Sequence, residues 1–304
     1  MTENLIEIKG LTKDYGDGKG IFDVNFELRR GEILGFVGAN GAGKTTTIRS
    51  IMGFIKPDKG KVTIFGKDSW LESEKTKPYI GYVPGEIAFP DLGSGTEFLK
   101  SQAEFLNVTS MDRANFITEK LQLDPRANLK RMSKGMKQKT AVVAALMSDP
   151  EILILDEPTT GLDPLMRVAF LDLLLEEKKR GKTILISSHL YEELEKIADR
   201  VALIDRGQIL AVTDMKEITE RETAEFKIEF NDRKDYEKFA GHGYNVIRDQ
   251  QEYLQYTVSI KKSDIQALFK DLKSYNVKFI SEVKYTLEKH FNEIIKNKEI
   301  KNVQ

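Results

Sequence analysis

Alternating apolar and polar residues at the start of the chain predict a pair of antiparallel strands. Residues 5–9 and 21–28 alternate, and the turn-forming stretch 17–20 lies between them, as in a half-buried hairpin. Two later stretches, residues 152–155 and 184–186, are apolar without alternation, which is typical of parallel strands buried on both faces. The pattern therefore predicts an antiparallel sheet beside a buried parallel sheet.

From residue 96 to residue 147 the apolar spacing is mostly that of helices. This spacing predicts a helical subdomain, at about residues 86–148, inserted between strands of the parallel sheet. After about Asp214 the segments follow in the order strand, helix, strand, strand, helix, strand, and a final helix is predicted at residues 287–295. That order predicts a small α+β domain.

We therefore predict an α/β fold with two domains, at residues 1–212 and 213–304. The polar residues 296–304 are expected to fray.

A glycine-rich segment at residues 38–45, GANGAGKT, follows the apolar run 33–37 and opens a helical pattern. It fits the phosphate-binding pattern G-x-x-x-x-G-K-[ST] between a strand and a helix. Glycines let successive backbone N–H groups point at anionic oxygens, and the helix N-terminus adds positive charge. Lysine at this position reaches the β- and γ-phosphates, and the next hydroxyl binds Mg²⁺. The segment predicts nucleoside triphosphate binding by Gly38, Asn40, Gly41, Gly43, Lys44, Thr45 and Thr46, with Thr45 also a Mg²⁺ ligand.

Composition excludes several other kinds of site. The 304 residues carry 47 Lys+Arg and 48 Asp+Glu, a net charge of −1, which gives no indication of a nucleic-acid partner. There are no cysteines, so disulfides, thiolate metal sites and thiol catalysis are excluded. No apolar run approaches the ~18 residues of a membrane span, so a membrane role would require a partner subunit.

Further motifs resemble those of ATP-binding cassette (ABC) proteins. Residues 152–157, ILILDE, resemble the second nucleotide motif of this family. The resemblance implies that Asp156 holds Mg²⁺ through water and that Glu157 is the general base for the attacking water. Residues 184–189, ILISSH, resemble the switch-histidine segment, which implies that His189 contacts the γ-phosphate. Tyr15 is placed where the family has an aromatic residue that stacks on adenine.

The signature segment departs from the family pattern. Residues 132–138 read MSKGMKQ, where the family has Leu-Ser-Gly-Gly-Gln, so only the serine and the second glycine match. The resemblance implies that Ser133 and Gly135 bind the γ-phosphate held by an opposite subunit, and that the stretch ending at Asp163 crosses the dimer interface.

A second departure concerns the Mg²⁺ site. The family usually has glutamine after the strand at residues 79–84, and this chain has Gly85 followed by Glu86. Two alternatives remain open: Glu86 replaces glutamine as a Mg²⁺ ligand, or this ligand is missing.

The resemblance covers residues 5 to about 212 and implies a P-loop ABC ATPase core with an antiparallel β subdomain and the inserted helical subdomain. The accessory domain is similar to that of the bacterial exporter branch, which handles drugs, antimicrobial peptides, lipids or polysaccharides. This implies an ATP-hydrolysing subunit that uses ATP and Mg²⁺, forms a dimer of nucleotide-binding subunits and works with an integral-membrane permease at the cytoplasmic face of the membrane.

Two other function classes are compatible with a nucleotide-binding loop. A soluble ABC ATPase of DNA repair, translation or assembly is the main alternative, although the chain has one cassette and no long heptad array. A binding module with little turnover is opposed by Glu157 and His189.

Overall fold

The computed structural model describes residues 3–303, with side chains described for residues 3–298. The chain divides into two compact units after Met215, and each is described separately. The strands of the N-terminal unit are β1 (Asn4–Asp14), β2 (Gly20–Arg29), β3 (Ile33–Val37), β4 (Lys59–Ile64), β5 (Lys67–Asp68), β6 (Ile80–Val83), β7 (Ile152–Asp156), β8 (Thr183–Ser188), β9 (Arg200–Asp205) and β10 (Gln208–Asp214).

These strands form two sheets. The antiparallel sheet has the order β2-β1-β4-β5, and the larger sheet has the order β10-β9-β3-β8-β7-β6. In the larger sheet β10 is antiparallel to β9, and the other neighbours are parallel. Every residue of β3 and β7 is buried, as the apolar runs predict. The Phe26 and Phe36 rings lie 5.5 Å apart in a core shared by the two sheets.

Helices cover the larger sheet and form the inserted subdomain. Three helices of the subdomain, α3 to α5, lie in the sequence between β6 and β7. The helices of this unit are α1 (Lys44–Ile51), α2 (Ser73–Thr76), α3 (Gly95–Phe105), α4 (Asp112–Lys120), α5 (Lys134–Leu146), α6 (Pro164–Lys179) and α7 (Tyr191–Ile197), and α8 (Met215–Thr219) lies where the units divide. Short 3-10 turns occur at Lys77–Tyr79 and Leu129–Arg131.

The C-terminal unit is an antiparallel sheet with helices, in the predicted element order. Alternate residues of its first strand, Ala224, Phe226, Ile228 and Phe230, are buried in its core. Its sheet order is β12-β13-β11-β14. The elements are β11 (Thr223–Phe230), α9 (Arg233–Phe239), β12 (Asn245–Gln250), β13 (Gln255–Lys261), α10 (Ile265–Leu272), β14 (Val277–Val283) and α11 (Leu287–Val303), with 3-10 turns at Ala240–His242, Gln251–Tyr253 and Lys262–Asp264.

Two predicted helix ends are wrong. The turn-forming residues 56–60 predict that the helix after the phosphate loop ends at Lys56, but it ends at Ile51. Gly53 stops it, since its φ is +64° and a Cβ there would lie 2.2 Å from the Ser69 carbonyl oxygen. The last helix was expected to end at residue 295 and continues to Val303. No glycine or proline follows residue 295, so nothing local stops this helix.

Among residues 3–303, no helix has both the length and the hydropathy needed to cross a bilayer.

Candidate nucleotide site

The phosphate loop connects β3 to α1 and depends on two glycines with little space around them. Gly43 has φ +112°, and a Cβ there would lie 2.7 Å from Ile21 Cγ2. A Cβ on Gly38 would lie 2.3 Å from the Ile204 carbonyl oxygen. Larger residues would therefore push the loop away from the strands that support it.

A cleft of about 530 Å³ opens beside this loop. It brings together the predicted base-stacking residue, the predicted general base and most of the predicted phosphate-binding residues. Lys19 and Gly20 were not predicted; they lie in the turn that follows Tyr15, and closeness in sequence to Tyr15 was the only available signal. The lining residues are Tyr15, Lys19, Gly20, Ala39, Asn40, Gly41, Gly43, Lys44, Thr45, Thr46 and Glu157.

A chain of polar contacts runs from Lys44 in the cleft to His189, which is not among the lining residues. Lys44 Nζ donates to the carbonyl oxygens of Gly38 at 2.6 Å and Ala39 at 3.2 Å. It also forms an ion pair with Glu157 Oε1 at 3.2 Å. The other carboxylate oxygen, Oε2, lies 2.6 Å from His189 Nδ1. The structure thus connects three predicted residues through one carboxylate.

Glu157 has a strained backbone. Its φ is +50°, a conformation that residues other than glycine, asparagine and aspartate rarely adopt. Its N–H donates to Ser187 Oγ at 2.9 Å, and that hydroxyl donates to Asp156 Oδ1 at 2.7 Å. Such strain is common at functional sites, where the surrounding structure enforces it. Ser187 is a supporting residue that sequence reasoning missed, because the contact joins two strands that are distant in sequence.

Asp156 is a buried residue with one carboxylate oxygen left unpaired by the described residues. The residue is 0% exposed, and Oδ2 has no hydrogen-bond partner among the described residues. Gly85 is adjacent, since a Cβ there would lie 3.2 Å from Oδ2. Burial and, next, the negative charge of Asp156 raise the pKa of the Tyr82 phenol to about 12, so Tyr82 stays neutral at physiological pH.

Glu86 lies in a different cleft. It is exposed and lines a space of about 340 Å³ with Lys134, Lys137 and Gln138. Within the described residues, no group of three or more acidic or histidine side chains is arranged to hold a metal.

Tyr15 projects from the turn after β1. Its side chain is exposed, and Lys13 Nζ lies 5.9 Å from the ring centroid. Asp58 fixes this turn, because its carboxylate pairs with Lys13 Nζ at 2.9 Å and accepts from Asp14 N at 2.8 Å.

The predicted trans-acting residues lie outside this cleft. Ser133 caps α5, accepting from Met136 N at 3.2 Å, and Asp163 caps α6, accepting from Met166 N at 3.0 Å. A Cβ on Gly135 would lie 2.6 Å from the Gly161 carbonyl oxygen, and the Lys134 side chain packs on Gly161. The signature segment and the stretch before Asp163 therefore contact each other within one chain.

Comparison with known proteins identifies the family to which this chain is similar. A family model described as ABC transporter matches residues 21–160. The linearmycin resistance ATP-binding protein LnrL of Bacillus subtilis (strain 168) is 35% identical over 222 residues, 71% of this chain and 71% of that protein. The bacitracin transport ATP-binding protein BcrA of Bacillus licheniformis is 33% identical over 256 residues, 81% of this chain and 83% of that protein.

A solved structure of an ATP-binding subunit of an ABC transporter has a TM-score of 0.65 and 30% identity, covering 71% of this chain and 92% of its own. The predicted family and the predicted P-loop fold class are confirmed. The chain belongs to the ABC transporter ATP-binding proteins and is an ATPase of that family.

Proposed function

We propose that this chain is the ATP-hydrolysing subunit of a bacterial exporter that works on a separate membrane permease. The observation that carries the proposal is the contact of Glu157 with both Lys44 and His189 at the edge of the phosphate-loop cleft. Relatives named for linearmycin resistance and bacitracin transport support export over the alternative of a soluble ABC ATPase in repair, translation or assembly.

In this proposal the cleft binds ATP through the backbone of the phosphate loop and the dipole of α1. Tyr15 stacks on the adenine, and Gly38, Asn40, Gly41, Gly43 and Thr46 supply the cradle. Lys44 turns from Glu157 toward the β- and γ-phosphates, which releases Oε1. Glu157 then takes a proton from the attacking water. His189, held by Oε2, keeps the base oriented and contacts the γ-phosphate.

The donor set fits a Mg²⁺ ion. Asp156 Oδ2 is a buried acceptor without a hydrogen-bond partner among the described residues, and the Thr45 hydroxyl lines the cleft. Oxygen ligands of this kind suit Mg²⁺, which when bound neutralises charge on the phosphate oxygens. The placement of Glu86 beside Lys134 and Lys137 favours the second sequence alternative, in which the family glutamine has no replacement.

Two copies would enclose the nucleotides. In each copy Ser133 and Gly135 would contact the γ-phosphate held by the other, and the segment ending at Asp163 would lie at the interface. Closure then depends on the γ-phosphate, so ATP favours the closed dimer and hydrolysis favours its opening.

An apolar groove supports the permease partner. It has a volume of about 710 Å³ and lies between β6 and the helices α3 and α5. Its lining includes Tyr82, Phe89, Phe98 and Phe105, and Phe105 is 80% exposed. Exposed apolar surface of this kind marks interaction sites. We propose that a helix of the permease lies in this groove and holds the chain at the cytoplasmic face of the membrane.

The test is reconstitution with a permease, which we expect to be encoded in a reading frame beside this gene. Phe105→Asp should abolish co-purification, because a charge in the groove opposes burial of an apolar helix. Phe116→Asp is the matched control: Phe116 is 51% exposed on α4 and does not line the groove, so the complex should persist. Equal retention of both variants would contradict the groove as the docking site. The absence of any complex with the unmodified chain would contradict the transport function itself.

A further inference from the structure

Glu193, on α7, is a buried carboxylate with three polar neighbours. It is 4% exposed. Its Oε2 accepts from Thr159 Oγ1 at 2.9 Å and from Ser188 Oγ at 3.0 Å. Its Oε1 lies 3.1 Å from Arg167 Nε. A buried charge is costly unless it is paired and hydrogen-bonded. Oε2 has two hydrogen bonds, whereas Oε1 has the ion pair with Arg167 and no hydrogen bond among the described residues.

Two of these neighbours, Ser188 and Thr159, belong to segments with a proposed role at the nucleotide site. Ser188 directly precedes His189, and its hydroxyl also accepts from Leu190 N at 3.0 Å. Thr159 lies in the stretch between Glu157 and Asp163. One carboxylate oxygen therefore joins the segment carrying the switch histidine to the segment carrying the general base.

The second segment requires such support. Glu157 begins it with φ +50°, and two successive turns follow, with Thr160 N donating to the Glu157 carbonyl at 3.1 Å and Leu162 N to the Thr159 carbonyl at 3.1 Å. Ser187 holds the start of the segment. Glu193 holds its middle through Thr159.

The far end of the segment has its own connection to Glu193. Asp163 caps α6, and Arg167 is in the first turns of that helix. Arg167 N donates to the Asp163 carbonyl at 2.9 Å, while the Arg167 side chain pairs with Glu193. The carboxylate is therefore connected with the middle of this segment through Thr159 and with its far end through Arg167.

We propose that Glu193 is a positioning residue that fixes His189 and the segment 157–163 as one rigid unit. Contact of Gly161 with the signature segment would then be transmitted to the base and the histidine through Thr159, Glu193 and Ser188. This inference rests on the proposed roles of Glu157 and His189. Glu193 is not among the residues that line the nucleotide cleft.

The chemistry explains why a carboxylate is needed. Two hydroxyls donate to the same oxygen, and the other oxygen faces a guanidinium. A glutamine could accept from the hydroxyls through its single oxygen, but its NH₂ group would then face Arg167, a donor against donors. Glu193→Gln should therefore retain part of the ATP hydrolysis rate, and Glu193→Ala should retain a smaller part.

The experiment measures ATP hydrolysis under single-turnover and steady-state conditions with the full chain. Glu193→Ala should lower the rate of the chemical step about tenfold, since small misplacements of catalytic groups carry penalties of this size. The KM for ATP should change less than about twofold, because the phosphate loop is untouched. Glu193→Gln should give an intermediate rate and serves in place of the alanine variant if that one fails to fold.

The matched control is Glu177→Ala. Glu177 is also a buried glutamate, 2% exposed, and it pairs with Arg113 and Arg180 away from the nucleotide cleft. Its loss should lower stability without slowing hydrolysis. An equal rate decrease in both variants, or a normal rate in Glu193→Ala, would overturn the inference.

A cycle with His189→Ala separates positioning from general stability. If Glu193 acts through the histidine segment, Glu193→Ala should slow the His189→Ala protein much less than it slows the unmodified protein. Rate decreases that simply multiply would contradict the inference. An active Glu157→Gln variant would instead overturn the proposed function, so the two failures are distinguishable.

Discussion

The Glu157 side chain has two partners, and the proposed mechanism moves only one of them, Lys44, away from the carboxylate. Lys44 pairs with one carboxylate oxygen and His189 with the other. In the proposed mechanism Lys44 moves to the phosphates, which exposes Oε1 to the attacking water. The αL backbone of Glu157 directs the side chain to this position.

Glu157→Gln should therefore bind ATP with little change in affinity and lose about 10²-fold or more in hydrolysis rate, the contribution typical of a general base. The amide oxygen can still accept from Lys44, and the amide NH₂ can donate to His189 Nδ1 in the tautomer that leaves this nitrogen unprotonated, so both contacts of the site can persist. Calorimetry gives the affinity and phosphate release gives the rate. Wild-type turnover by this variant would refute the role of Glu157, and Glu151→Gln, at an exposed residue, is the control.

At the scale of elements, ion pairs connect α4 of the helical subdomain to α6 of the parallel-sheet core. Arg113 Nη2 bonds Glu177 Oε2 at 2.6 Å, and Arg113 Nε donates to the Leu146 carbonyl at 2.8 Å. Lys120 and Glu176 form a second pair between the same helices. Only the Glu177 carboxylate is fully buried, so the first pair dominates the energetics.

Glu177→Ala should lower the free energy of unfolding by about 3 kcal/mol, because Arg113 would be left with a charge lacking its buried partner. Urea unfolding followed by circular dichroism measures this change. Glu176→Ala, which removes the exposed pair, should cost less than about 1 kcal/mol. Equal losses would show that burial does not distinguish the two pairs.

The local motifs were predictable from the sequence, and the contacts that support them were not. The phosphate loop, Asp156, Glu157 and His189 stand in short segments whose residue types follow from their chemistry. Asp58 binds Lys13, which is 45 residues away in the sequence. No local pattern predicts such a contact, because it depends on how distant strands pair. The ends of α1 and α11 depended on a tertiary contact at Gly53 and on the absence of a stop signal.

At the scale of the whole molecule, the proposed dimer places Ser133 at the γ-phosphate of the other copy. In the Glu157→Gln background, Ser133→Ala should weaken ATP-dependent dimerisation about 100-fold, because the symmetric dimer loses two hydrogen bonds to charged groups, each worth about tenfold. Light scattering with and without ATP measures the dimer.

Ser94→Ala is the matched control for that experiment. Ser94 caps α3 in the same way, accepting from Glu97 N at 3.2 Å, so both alanine variants lose a helix cap worth about 1 kcal/mol. Dimerisation should fall only in the Ser133 variant. A similar decrease of dimerisation in both variants would mean that the loss of helix stability is responsible, and that Ser133 makes no contact across the dimer.

The bonds from Lys44 to its own loop have a consequence for how the protein distinguishes nucleotides. The ammonium group is already satisfied by two carbonyls and a carboxylate, so phosphate arriving at the cleft exchanges partners with little net gain. A single copy would then retain ADP about as well as ATP. A preference for ATP over ADP would arise only when a second subunit adds its contacts to the γ-phosphate. Dimerisation would then be the step that responds to the cellular ratio of ATP to ADP.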